Sequence, residues 1–350
     1  MPSINHIYWF AFYNEDSPSV RYRATFPLEY FHTVHHVRYS LIIPGYHPAK
    51  VWRFIRAYLS ALLFRKNDSL IVIQRVHSSF IYSTLLKLLV RLRHNNTIYD
   101  IDDSDYLYWP SKTIYSFAKK CQYVSVGSRA IGVHLAQFNP NTVFVTSPTP
   151  DLKIIKEKRN ERFTIGWIGA FGGDHKQSLM EHVFPALLAL DFPAKFMLIG
   201  VINDHDEQLI RTYFQSNTAL EIELPRNVDW KDERALQEQI AQFDIGVATL
   251  LENEIQLSKS GIKVKQYLNN GVPALATNLP ENDWVIREGI NGYYCNTRAD
   301  FKARIEEFHA MSDTEYWKFS QNARASIVDF DHAHYYNDFL QIMQRAVYKK

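Results

Sequence analysis

The sequence predicts an α/β protein made of two doubly wound parallel sheets that face each other across a cleft. Three observations lead there. The chain has 350 residues, enough for two domains that each bury a core of their own. Apolar residues make up 46% and charged residues 22%, the balance of a globular protein. Short runs rich in β-branched and aromatic residues alternate with helical stretches, twice over, as expected of βαβ units in a sheet covered on both faces.

In the first half the strand-like runs are 5–12, 37–43, 69–74, 97–101, 123–126 and 142–145. Helical stretches lie between them at 21–34, 49–65, 80–94, 111–120 and 128–138. The Ser-Pro-Thr-Pro segment at 147–150 breaks the pattern, because proline removes a donor and restricts the residue before it. The polar stretch 151–162 then reads as the connection between domains. An N-terminal domain over 1–150 and a C-terminal domain over 151–330 follow.

The second half repeats the scheme, with strand-like runs at 163–168, 195–200, 220–223, 244–249, 273–277 and 292–295. Its helical stretches run near 177–190, 205–216, 232–242, 259–270, 282–288, 298–310 and 313–327. Tyr336, Phe339, Ile342, Met343 and Val347 recur at helical spacing in 332–348. Residues 331–350 are therefore expected to form a helix that crosses back to the N-terminal domain. Doubly wound sheets bind ligands at the carboxyl ends of their strands, so functional residues are sought in those loops.

Composition narrows the class. The most apolar stretches, 58–64 and 85–90, fall far short of the ~20 residues that cross a bilayer. Met1-Pro2-Ser3-Ile4-Asn5 lacks the basic-then-apolar profile of a signal peptide. Cys121 and Cys295 lie far apart and form no metal-ligand spacing. A cytoplasmic protein without a metal is expected. Residues 1–150 carry 16 Lys+Arg against 8 Asp+Glu, and the remainder 23 against 29, so the net +2 divides into +8 and −6. A basic N-terminal half points to an anionic partner, such as a membrane surface or a phosphate-bearing acceptor. No nucleic-acid recognition motif is present, and no such partner is expected.

The most informative segment runs from Lys259 through Lys263, Gln266, Gly271 and Pro273 to Thr277. Ser258 is placed to cap a helix that ends at Gly271 and is followed by a buried strand opened by Pro273. On such a helix Lys259, Lys263 and Gln266 share a face. Two cations and an amide there suit a pyrophosphate with an adjacent ribose; a solvated basic helix face fits the spacing equally well.

This segment resembles the donor site of the retaining family-4 glycosyltransferases, in which a helix precedes Gly-x-Pro and a strand. It continues into Trp284-Val-Ile-Arg287-Glu288-Gly289-Ile-Asn291-Gly292-Tyr293, similar to that family's E-x-V-x-x-G-x-N-G close. Weaker similarity covers most of the chain, including the 165–169 strand and the turn at Ser128. The resemblance implies the GT-B architecture of two Rossmann-like domains, a nucleotide-sugar donor as co-substrate without a further cofactor, a saccharide or lipid-linked acceptor, and retention of configuration. The family's two glutamates, with seven residues between them, would fall at Ser258 and Gln266. This chain resembles members with two lysines four apart and Gln in the second position. Gln266 can accept from a ribose hydroxyl, more weakly than a carboxylate, and Glu254 or Glu252 is the substitute for the first glutamate.

Ile165-Gly166-Trp167-Ile168-Gly169-Ala-Phe-Gly172-Gly173-Asp174-His175-Lys176 reads as a strand, a Gly-rich loop and a helix start. Gly169, Gly172 and Gly173 would let backbone N–H groups approach a phosphate, and the resemblance makes Lys176 its cation. The bland alternative is a flexible loop without a ligand. In the N-terminal half, Asp102 and Asp103 end a strand and are candidates to bind or deprotonate an acceptor hydroxyl; capping of the next segment is the structural alternative. Arg21 and Arg23 sit in a Ser-x-Arg-Tyr-Arg segment resembling the family's opening loop. With Arg75, at the end of the third strand, and Ser128 they form the acceptor-side set; for the arginines an interdomain salt bridge fits as well. Helical stretches 52–66 and 83–93 interleave Trp52, Phe54, Leu62, Leu63 and 88–90 with Arg53, Arg56, Arg65, Lys66, Lys87, Arg91 and Arg93. That mixture suits an anionic membrane on the cytoplasmic side, or simply core faces with solvated edges.

Three other classes compete with transfer. A dinucleotide-dependent enzyme would need Gly-x-Gly-x-x-Gly after its first strand, where Ala11-Phe12-Tyr13-Asn14-Glu15 stands. A nucleotide-sugar epimerase would need acid/base groups facing the donor sugar. A non-catalytic nucleotide-sugar-binding or scaffold protein remains the alternative, because both family glutamates are replaced.

Overall fold

The computed structural model describes residues 4–12, 14–63, 68–76, 79–93, 95–109, 111–147, 149–328 and 332–348. The chain forms two compact units, Met1–Pro148 with Ser258–Ser260 and His332–Lys350, and Thr149–Leu257 with Gly261–Asp331.

The first unit holds β1 (His6–Ala11), β2 (Arg38–Ile42), β3 (Ser69–Gln74), β4 (Thr97–Ile101), β5 (Tyr123–Val126) and β6 (Thr142–Phe144), in the order β2-β1-β3-β4-β5-β6. Every pairing is parallel. β3 and β4 are buried on both faces, which explains their unbroken apolar character. One face of the sheet is covered by Pro48–Leu63, Phe80–Leu92, Ser111–Lys120 and Arg129–Ala136, whose apolar sides join Phe10, Ile71 and Ile73 in one core. The other face is covered by Phe26–His35 and by His332–Tyr348, which buries Tyr335, Tyr336, Phe339, Ile342 and Met343 against Trp9 and Phe31.

The second unit holds β7 (Phe163–Ile168), β8 (Ala194–Ile199), β9 (Leu220–Glu223), β10 (Ile245–Ala248), β11 (Ala274–Ala276) and β12 (Gly292–Tyr294), again parallel throughout. Their order, β12-β11-β10-β7-β8-β9, is the Rossmann order with its reversal between β7 and β10. The stretch 151–162 has no regular structure but is fastened to this unit. Lys156 and Asp244 form a buried ion pair at 3.0 Å, and the Pro150 carbonyl accepts from Gln237 and Asn269.

Each unit's first strand leads into a helical run interrupted by one π turn, Arg21–Thr25 in the first and Leu179–Val183 in the second. Both turns are followed by Phe-Pro, Phe26-Pro27 and Phe184-Pro185. A proline inside a helix lacks the N–H and crowds the carbonyl four residues back, and widening the turn before it relieves both problems.

All twelve strand runs read from the sequence appear, within a residue or two at each end. Two helical expectations do not hold. Residues 282–288 form turns, and Asn282 instead donates to Thr277 O at 2.8 Å. The helix after residue 258 starts later, as Ile262–Asn269. Its N-cap is Gly261 at φ 66°, and Ser258 ends a separate 3-10 turn, Gln256–Ser258.

Candidate functional site

The site in the second unit is made by the reversal of strand order. β10 pairs with β7 only at Ile245–Ile165 and Gly246–Gly166; beyond that the strands part and their exposed backbone groups need partners. Tyr267, on Ile262–Asn269, fills the gap. Its hydroxyl accepts from Ile168 N at 3.2 Å and donates to Val247 O at 3.0 Å. Burial raises this phenol well above its ordinary pKa.

Just past β7, Gly169 adopts φ +140°, and a Cβ there would meet Lys263 Cε at 2.8 Å. The backbone conformation requires glycine there, and a Cβ would also displace the end of the Lys263 side chain that lies across it. The Lys263 ammonium sits 5.6 Å from the Trp167 ring centroid and 3.3 Å from His175 Nε2. Asp174 Oδ2 accepts from Gln256 Nε2 at 2.8 Å and from Asn253 Nδ2 at 3.3 Å, tying the Gly-rich segment to the loop after β10. The buried Thr249 hydroxyl, at the end of β10, has no hydrogen-bond partner among the described residues.

The other donor-side candidates fall differently. Gly172 caps the helical run in extended conformation, Gly173 follows at φ +50°, and both have open space where a Cβ would stand. Lys176 binds Asp206 at 2.6 Å, a partner on a helix that the sequence reading did not connect to this loop. Gln266 is buried, and Glu254 is exposed. The Gly-x-Pro and Asn-Gly elements of the motif have structural tasks: Gly271 ends the helix at φ +71°, and Asn291 braces its turn by donating to Val285 O and Ser326 Oγ and accepting from Arg287 N.

In the first unit a polar cluster occupies the carboxyl ends of β3 and β4. Arg75, itself at φ +51°, grips Asp105 with two hydrogen bonds of 2.6 Å. It also reaches Ser19 Oγ, Asp102 and Asp103 at 2.9, 3.2 and 3.1 Å. Lys259 belongs to this unit and binds Asp103 at 2.8 Å, while Ser258 Oγ and Ser104 Oγ stand 2.6 Å apart. Burial opposes ionisation of Asp103, but the charges and hydrogen bonds of Lys259 and Arg75 outweigh it and hold the carboxyl well below its usual range. Burial pushes Asp105 up to about 6 against the pull of Arg75.

Three acceptor-side candidates are enclosed. Arg23 is fully buried, with Asp100 at 2.6 and 2.9 Å, Val145 O at 2.9 Å and Ser125 Oγ at 3.1 Å as partners; it has no surface left for a ligand. Ser128 is buried and caps Arg129–Ala136 by accepting from Ile131 N. Arg21, on the first π turn, lies over the rings of Tyr22 and Phe26. The structure thus brings Lys263 to Gly169 and His175, and Asp102 and Asp103 to Arg75 and Lys259, while Lys259, Lys263 and Gln266 do not share a helix face because the helix starts after Lys259. Sequence reading missed Trp167, His175, Asp174, Thr249 and Tyr267 as parts of one site. The first three lie within the Gly-rich segment and were within reach; Thr249 and Tyr267 join it only through strand order. Among the described residues, no group of three His, Cys, Asp or Glu side chains could hold a metal ion, and no helix is long and apolar enough to cross a membrane.

Residues 162–310 match the sequence model of the family described as "Glycosyl transferases group 1". No curated protein sequence matches the chain. Several solved structures share its fold along nearly its whole length. Anabaena HepE, solved with UDP and glucose, has TM-score 0.68 at 10% identity, covering 97% of this chain and 99% of its own. A glycosyltransferase from Rickettsia africae has TM-score 0.70 at 13% identity, with 99% of each chain covered. Sucrose-phosphate synthase from Thermosynechococcus elongatus has TM-score 0.72 at 11% identity, covering 97% of this chain and 98% of its own. The fold is that of GT-B, two Rossmann-like domains in one chain.

Proposed function

We propose that the chain is a glycosyltransferase that moves a hexosyl group from a nucleotide-sugar donor, bound by the second unit, to a saccharide or lipid-linked acceptor. The observation that carries this reading is Lys263 lying across Gly169 at the switch point of a Rossmann-ordered sheet. It falls inside the segment that matches the glycosyltransferase family. Solved structures of the same fold with UDP and sugar bound support it further.

Glycosyl transfer requires a nucleoside diphosphate to depart, so the main demand is stabilisation of charge growing on a phosphate oxygen. Lys263 supplies the cation, and His175 Nε2 holds it in position. The open backbone at Gly172 and Gly173 offers N–H groups to the diphosphate. Lys176 adds a second cation once its pair with Asp206 loosens, and Gln266 and Glu254 take the ribose and the donor sugar. With side-chain cations in this role, the reaction needs no further cofactor. Asp102 and Asp103 serve the acceptor. Held strongly acidic by Lys259 and Arg75, Asp103 is a poor base, so it orients the acceptor hydroxyl by accepting its hydrogen bond. Retention of configuration, a cytoplasmic location at the inner membrane face and a role in cell-surface polysaccharide assembly complete the proposal.

The test is calorimetric titration of the full chain with UDP-, GDP-, ADP-, CMP- and dTDP-sugars. One nucleotide class is expected to bind, with at least about tenfold loss in Lys263→Ala, the size of a lost charge-assisted contact. Gly169→Ala should lose binding as well. Absence of binding by every nucleotide sugar overturns the donor site. The non-catalytic reading is kept because Ser258 and Gln266 stand where the resemblance expects glutamates, and Ser258 contacts Ser104; tight donor binding without transfer or hydrolysis would favour it.

A further inference from the structure

The excess of positive charge in the first unit is gathered on one side. The four helices on the β3/β4 face that also holds Phe10 are Pro48–Leu63, Phe80–Leu92, Ser111–Lys120 and Arg129–Ala136. They carry Lys50, Arg53, Arg56, Lys87, Arg91, Lys112, Lys119, Lys120 and Arg129, and not one carboxylate. On the opposite face Phe26–His35 contains Glu29, and His332–Tyr348 contains Asp338 and a single arginine, Arg345. The like charges crowd one another: burial and the neighbouring charge of Lys120 together lower the Lys87 ammonium below its ordinary pKa.

The same face exposes apolar side chains. On Pro48–Leu63, Phe54, Tyr58 and Ala61 enter the core, while Trp52, Ile55, Leu59 and Leu63 stay outside. Their spacing of three, four and four residues aligns them along one ridge. On the adjacent Phe80–Leu92, the residues Phe80, Ile81, Leu88 and Leu92 are exposed likewise. Trp52 is 67% and Phe80 85% exposed. The two helices are locked side by side, with the Phe54 and Tyr82 rings 4.6 Å apart and Arg93 donating to Leu62 O at 3.0 Å. Arg65 and Lys66, which the sequence reading added to this patch, lie outside the described residues.

We propose that this face docks the protein onto an anionic lipid bilayer, with the Trp52–Leu63 and Phe80–Leu92 ridges entering the headgroup boundary and the surrounding cations meeting lipid phosphates. A soluble polyanion would account for the cations but leave eight large apolar side chains in water; an apolar protein partner would account for the ridges but offer the surrounding cations no counter-charge. A bilayer with negative headgroups satisfies both, each cation near its surface adding to the attraction. The inference deepens the proposed membrane-side location and rests on that reading only for the acceptor's whereabouts. Docking itself is independent of nucleotide-sugar binding.

The experiment is vesicle flotation of the full chain without nucleotide sugar, using phosphatidylcholine alone and with about a third of phosphatidylglycerol. The wild type should float with the mixed vesicles, partition at least tenfold less to the zwitterionic ones, and release as salt screens the attraction. Trp52→Ser with Leu59→Ser, and separately Arg56→Glu with Arg91→Glu, should each weaken flotation at least tenfold while far-UV circular dichroism and thermal unfolding remain unchanged, as expected for exposed positions. Failure of the wild type to float overturns the proposal even if donor binding is intact. So does soluble polyphosphate binding equally to wild type and the apolar variant, which marks a polyanion site. Lipid-free self-association abolished by the apolar variant overturns it too, marking an interface between two copies.

Discussion

Asp103 shows how much of a candidate residue's character comes from its neighbours. In the sequence it is one of four aspartates between residues 100 and 105; in the structure burial works against its charge, and Lys259, far along the chain, and Arg75 hold it ionised. Because the folded carboxyl titrates below its unfolded value of about 3.9, the stability it contributes is complete above that value. It is lost as pH falls through the lower folded one. Urea unfolding across an acid series should therefore show wild-type stability declining below about pH 4, with Asp103→Asn less stable at neutral pH and declining less steeply. Equal slopes for the two proteins would mean that the pair with Lys259 does not form in solution. Arg23 carries the complementary lesson: an arginine in a loop resembling a family opening looks available, yet burial beside Asp100 makes it part of the core.

At the scale of elements, the informative feature is the splice between β7 and β10. The ladder there is short because the connections leave in opposite directions, and Tyr267 repairs it. Tyr267→Phe keeps the ring and removes the hydroxyl, leaving Ile168 N without its acceptor and Val247 O without its donor. Buried unsatisfied groups of this kind cost about 1–3 kcal/mol, which chemical denaturation should record. Because β7 delivers Gly169, donor affinity is expected to fall with it. A loss below 0.5 kcal/mol, within the ordinary range for surface changes, would show that water replaces the hydroxyl. The inner strands were legible because they are buried on two faces and are runs of apolar residues. The start of Ile262–Asn269 was not: Ser258 looks like a cap, but Gly261 at φ 66° takes that place, and Ser258 pairs with Ser104.

For the whole molecule, His332–Tyr348 is part of the first unit's core although it comes last in the chain. Tyr335, Phe339, Ile342 and Met343 are almost entirely buried there, and each large apolar side chain withdrawn from water is worth roughly 1.5–3 kcal/mol. Their sum rivals the 5–15 kcal/mol by which a typical protein is stable. A chain ending at residue 331 should be insoluble, or should bind the apolar dye ANS strongly; soluble, dye-silent truncated protein would show that the rest of the core suffices. The asymmetry of charge likewise acquires meaning only when folded, since nine cations from four separate helices converge on one face.

The sequence by itself determined the α/β class, the two doubly wound sheets and their twelve strands, because alternation, apolar runs and proline breaks act locally. It also marked the Gly-rich segment and the Lys259–Thr277 segment, since glycine and lysine at such spacings are visible without coordinates. Tertiary structure alone decided which lysine meets which partner: Lys263 with Gly169 and His175, Lys259 with Asp103, Lys176 with Asp206. These pairings depend on strand order and on where a helix begins, and both are settled by packing between residues remote in the chain.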